Sequence, residues 1–88
     1  MMLNIQLKDR TEGPVYLQVR NQIEAQIRDK GIASGESLPQ PSALAQKLSV
    51  DKGEIQRAYF ELEQLGLIKK SARKDFLSGR EVITYSVS

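Results

Sequence analysis

The sequence predicts an α+β domain, three helices followed by a C-terminal β-hairpin. Three observations carry this. Between residues 14 and 65, apolar side chains recur at intervals of three and four, the spacing of one helix face. Ser49-Val50 interrupts that pattern just before an N-cap residue, so one short helix and one longer one meet across a tight turn. After Gly66 the period changes, and Val82-Ile83-Thr84-Tyr85-Ser86-Val87 is rich in β-branched and aromatic residues.

Residues 1–13 read as an N-terminal arm or short strand, since Leu3-Asn4-Ile5-Gln6-Leu7 alternates apolar and polar before a polar loop. Residues 14–88 read as the folded domain. Pro14 suits a first helical turn. Val15, Tyr16, Val19, Ile23 and Ile27 then form the apolar stripe of a helix over about 14–30, with Gly31 fitted to a left-handed C-cap. Ile32 and Leu38 anchor the connection that follows, where Ser37-Leu38 can pair briefly as a strand. Pro41 and Ser42 begin a second helix that runs to about 48 on Leu44, Ala45 and Leu48. Asp51 and Glu54 have the spacing of a capping box at the start of a third helix, about 51–65. Its stripe is Ile55, Ala58, Tyr59, Leu62 and Leu65, and Phe60 lies beside that stripe as a partly exposed residue. Gly66 closes it, with Leu67 placed for the apolar contact of a Schellman turn. Leu67-Ile68-Lys69-Lys70 begins a strand, residues 71–77 show no clear period, and Ser78-Gly79-Arg80 is a turn.

Composition narrows the function. The 88 residues contain no Cys and no His, which excludes Cys/His zinc sites, disulfides, thiol nucleophiles and Ser–His or Cys–His dyads. The carboxylates are scattered on polar helix faces, so an enzyme is not expected, nor a metal or cofactor. No apolar run is long enough to span a membrane, and the N-terminus lacks the pattern of a signal peptide, so the expected compartment is the cytoplasm.

A short helix leading into a longer one across Leu48-Ser49-Val50-Asp51 is a helix-turn-helix pattern, and a following hairpin makes it a winged helix. The phrases resemble the GntR family of bacterial transcription regulators. Pro14-Val15-Tyr16-Leu17-Gln18-Val19 is similar to the family's first helix, and Gly31 to Pro39 to its "G-x-L-x-x-G-x-x-L-P-S" phrase. Leu44 to Val50 resembles its second helix and turn, and Ala58 to Ile68 its recognition helix and the start of its wing. The resemblance covers roughly residues 14–70 and implies a winged helix-turn-helix that binds double-stranded DNA as a dimer.

The departures fall where that family meets DNA. Ser42 replaces the usual Arg, Gly53 loosens the first turn of the third helix, and Glu54 is placed to face a phosphate or a base edge and would repel the phosphate. Lys52 stands in for an Arg as a point charge. The wing phrase "G-R-G-T-F-V" becomes Ala72-Arg73-Lys74-Asp75-Phe76-Leu77, keeping the basic residue and the Phe but neither Gly.

Charge is unevenly placed. Overall, 13 cations against 11 carboxylates give +2. Residues 51–65 hold Lys52 and Arg57 against Asp51, Glu54, Glu61 and Glu63, a net of −2. Residues 67–88 hold five cations against Asp75 and Glu81, a net of +3. The expected DNA contacts are therefore Lys69, Lys70, Arg73 and Lys74 on phosphates or in the minor groove. Lys52, Gln56 and Arg57 approach the major groove, where geometry suits Gln56 to adenine and Arg57 to guanine. The acidic third helix supports the alternative of a winged helix used for protein interaction or dimerisation. No small-molecule effector site is expected, because no residues follow the hairpin to build one. The N-terminal arm, the first helix and the last strand are the candidate dimer surfaces.

Overall fold

A computed structural model of the chain describes residues 5–7, 13–29 and 31–88. The elements run α1 (Val15–Arg28), β1 (Ser37–Leu38), α2 (Pro41–Leu48), α3 (Lys52–Gln64), β2 (Ile68–Lys74) and β3 (Glu81–Val87). The three strands form one antiparallel sheet in the order β1-β3-β2. This is the winged helix-turn-helix that the spacing predicts.

Each helix buries its apolar stripe on a common core. Val19 and Ile23 from α1, Leu44 and Ala45 from α2, and Ile55, Ala58, Tyr59 and Leu62 from α3 meet there with Ile32, Leu38, Ile68 and Val87. Tyr59 is fully buried, and its hydroxyl donates to the Pro39 carbonyl at 2.7 Å, tying the β1–α2 connection to α3. Its ring meets Tyr85 edge-on at 4.9 Å, which couples α3 to β3.

The helix ends show where local signals held and where they did not. At α3, Gly66 takes φ +76, its N–H donates to the Glu63 carbonyl, and Leu67 N–H donates to the Leu62 carbonyl. That is the Schellman turn expected there. Gly31 is not the left-handed cap expected of it. The helix stops at Asp29, and the N–H groups of Gly31 and Ile32 both donate to the Gln26 carbonyl as Ile32 turns into the core. At α2 the left-handed position falls to Ser49 (φ 58, ψ 45), with the same pair of closing bonds, Ser49 N–H to Gln46 and Val50 N–H to Ala45.

The N-terminal prediction lies partly outside the described residues, at 1–4 and 8–12. Ile5–Leu7 does not pair as a strand. Ile5 is buried in the core, and Gln6 exchanges two hydrogen bonds with the Gln22 side chain on α1 at 2.9 and 2.7 Å. The last strand is not a free edge. β3 pairs along its length with β2 and at Tyr85–Ser86 with β1, and Gln40 donates its side-chain amide to the Ile83 carbonyl. The charged strand β2 is the outer edge of the wing, where Lys side chains also discourage edge-to-edge pairing.

Candidate nucleic-acid interface

The candidate interface lies on α3 and the β2–β3 hairpin. Burial of Ile55, Ala58, Tyr59 and Leu62 fixes the rotation of α3. Lys52, Gly53, Gln56, Arg57 and Phe60 are thereby left on the solvent side. Lys52 and Gln56 thus stand together, one turn apart, on the N-terminal half of the helix. Among the described residues Lys52 makes no ion pair.

Arg57 is more constrained. Its guanidinium carbon lies 3.8 Å from the centre of the Tyr16 ring, and its Nε is 3.7 Å from Glu61 Oε2. It bridges α3 to α1, although 60% of its side-chain surface remains open. Glu61 also takes Arg20 of α1 at 3.4 Å, so one carboxylate serves two helices.

Glu54 overturns two sequence expectations. Asp51 makes no side-chain cap, so the capping box is absent. Glu54 instead accepts the backbone N–H of Tyr16 at 2.9 Å, in the first turn of α1. A carboxylate there satisfies an orphan donor and meets the positive end of the α1 dipole. Glu54 therefore faces the protein and not a phosphate, because the start of α1 offers it a partner that sequence spacing does not reveal.

Register places the wing cations. Ile68 pairs with Val87 and both are buried, so Lys70 and Lys74 share their face of the sheet, while Lys69 and Arg73 lie on the other. All four are exposed, and none makes an ion pair among the described residues. The hairpin presents positive charge on both faces. The tip adds exposed Arg80, with Phe76 and Leu77 beside it; the basic turn Ser78-Gly79-Arg80 was the sequence signal for the first of these. Phe76 sits in the tip turn and not in a strand.

Among the described residues no three metal-ligating side chains converge, and no helix is long and apolar enough to cross a membrane.

Known proteins share this fold. The sequence profile described as "Bacterial regulatory proteins, gntR family" matches residues 15–76. The uncharacterized HTH-type transcriptional regulator YhcF of Bacillus subtilis (strain 168) is 36% identical over 56 residues, covering 64% of this chain and 46% of that protein. The matched region is thus about half the length of that curated relative. YtrA from Sulfolobus acidocaldarius, a GntR-family transcription factor, superposes with a TM-score of 0.72 at 25% identity, over 99% of this chain and 80% of its own. AraR(DBD), in complex with operator ORX1, gives a TM-score of 0.66 at 21% identity, over 100% and 99%, a likeness of fold. With the profile matched from the start of α1 to the wing tip, the chain belongs to the GntR family of bacterial regulatory proteins.

Proposed function

We propose that this chain binds double-stranded DNA in the cytoplasm as the winged helix-turn-helix of a bacterial transcription regulator, and that it does so as a homodimer. The observation that carries the reading is the outward face of α3. It leaves Lys52 and Gln56 exposed in the half of the helix that a helix-turn-helix directs into the major groove. The operator complex of the structurally similar AraR(DBD) supports the same partner. Lys69, Lys70, Arg73 and Lys74 supply phosphate contacts from both faces of the wing. Gln56 is suited to adenine, and Arg57 joins it only by leaving Tyr16 and Glu61. The role is binding and not catalysis.

Phe60, exposed at 59% near the C-terminal end of α3, favours that end of the helix as the dimer surface. That choice replaces β3, whose edges are engaged.

A salt titration of binding to mixed-sequence duplex DNA tests the reading. Each phosphate contact contributes about 0.9 to the slope of log K against log salt. Replacing Lys69, Lys70, Arg73 and Lys74 with Ala should flatten that slope by about 3 to 4. Binding that is absent at low salt, or indifferent to those four residues, sinks the proposal. Light scattering of a clean monomer at high concentration would refute the dimer.

A further inference from the structure

The wing tip holds two apolar side chains that the fold does not use. Phe76 and Leu77 have relative exposures of 101% and 98%, the highest of the large hydrophobic residues described. The turn that presents them is nevertheless built. The Asp75 carboxylate accepts the Leu77 N–H and the Ser78 hydroxyl, each at 3.1 Å. Asp75 N–H donates to the Arg80 carbonyl and Gly79 N–H to the Asp75 carbonyl, both at 2.8 Å. Gly79 sits at φ +72, a position other residues occupy only with strain. Arg73, Lys74 and Arg80 flank the pair. From Lys69 to Arg80, five cations stand against one carboxylate, which the turn already engages, for a net of +4.

We propose that Phe76 and Leu77 form an apolar wedge that enters the DNA minor groove from the wing tip and opens a base step, while the flanking cations hold phosphates on either side. The inference rests on the DNA-binding reading above. Size and charge favour this occupant. A stable protein interface takes about 800 Å² from each partner, and two side chains supply under half of that. A wedge needs only one or two apolar side chains, and Phe and Leu are among those that minor-groove proteins insert. A minor groove about 6 Å across takes side chains at the tip and not the two-stranded ribbon behind them, and the surroundings of Phe76 and Leu77 carry the charge that phosphates require. Apolar insertion releases no counterions, so the wedge adds affinity without adding to the salt slope. It also favours steps that are easily kinked.

The test compares the full chain with F76A/L77A and R73A/K74A. Each is bound to a mixed-sequence duplex and to the same duplex carrying one unpaired base, a pre-kinked site. Bending is read by energy transfer between the duplex ends. F76A/L77A should bind the intact duplex about tenfold more weakly with an unchanged salt slope. It should also lose the bend and the preference for the kinked probe. R73A/K74A should lower the slope by about 2 and keep the preference. Both should melt like the parent chain, since all four side chains are exposed and neither Arg73 nor Lys74 makes an ion pair among the described residues. Wild-type bending and probe preference in F76A/L77A would overturn the wedge alone. Binding to phosphatidylglycerol vesicles that needs Phe76 and Leu77, with DNA binding that does not, would overturn it in favour of a membrane surface. A parent chain with no salt-dependent DNA binding would take down the DNA reading, and the wedge with it.

Discussion

Glu54 gives two opposed expectations, and one substitution separates them. Read from sequence, it repels DNA, so neutralising it should raise affinity and leave stability alone. Read from structure, it caps α1 from a distance of 38 residues along the chain, through Tyr16 N–H at 2.9 Å. Removing a helix-capping oxygen costs typically about 1 kcal/mol, with a range of roughly 0.5–2. The favourable interaction of a partly buried carboxylate with the helix dipole lies within the same range, up to about 2 kcal/mol. Glu54 is half-buried, and Tyr16 N–H can recruit water once the carboxylate is gone, which limits the loss. Glu54→Ala should therefore cost about 1–2 kcal/mol. Glu54→Gln keeps an acceptor of the same reach without the charge and should cost about half as much.

For a domain of this size 1 kcal/mol moves Tm by about 4–8 °C. Glu54→Ala should thus lower Tm by roughly 5–15 °C and Glu54→Gln by a few degrees. Thermal melts followed by circular dichroism, paired with urea titrations at constant m, read this directly. DNA affinity, measured where every variant is folded, should change little. A Glu54→Gln chain that melts with the parent but binds DNA several-fold more tightly would refute the capping role and restore the repulsive one.

Ser49 holds a left-handed conformation that costs a non-glycine residue about 1 kcal/mol. After the entropy that Gly adds to the unfolded chain, Ser49→Gly should gain about 0.5 kcal/mol. Ser49→Val should lose more than 1 kcal/mol, since β-branching opposes that conformation; urea melts of the pair check the sign. Tyr59→Phe should cost about 1 kcal/mol by leaving the Pro39 carbonyl without its donor. Burial raises the Tyr59 phenol above its ordinary 10.0, and Tyr85 adds to the rise. Only the neutral form is favoured in the fold, so its contribution is complete below about pH 10 and falls as pH climbs beyond it. Tyr59→Phe should therefore be less sensitive to alkali than the parent in melts across that range. Arg57→Gln removes both the Tyr16 contact and the exposed Glu61 pair and should cost about 0.5–1 kcal/mol, read from Tm.

What the sequence disclosed and what it withheld divide along a physical line. Spacing of three and four located all three helices, because that period is dictated by burying one face against a core. Gly66 was legible because a glycine at the end of the stripe followed by an apolar residue marks a Schellman turn, and here no tertiary demand overrides it. Gly31 and Ser49 were not, since the conformation at each exit follows from where Ile32 and Val50 must go, and both pack on residues distant in sequence. Glu54 matched a local capping pattern, yet a tertiary donor won. The charges of the wing could be counted, but their split between two faces requires that residues 68–74 form one continuous strand, and residues 71–77 show no clear period in the sequence.

The acidity of the third helix is where this matters most. A net of −2 over residues 51–65 argues against DNA only if the carboxylates share the face that would meet it. They do not act as one surface. Glu54 is committed to Tyr16 N–H, and Glu61 is held between Arg20 and Arg57. Both draw α1 and α3 together, so their charge is spent on positioning the helix rather than on its outward face. Lys52 and Gln56 remain exposed at the end of α3 where the backbone dipole is positive. Asp51 stays exposed beside Lys52 and offsets it, so the positive charge of the candidate interface is chiefly that of the hairpin cations. Two of the four carboxylates in that sum therefore describe how α3 is fastened to α1, not what its outward face presents.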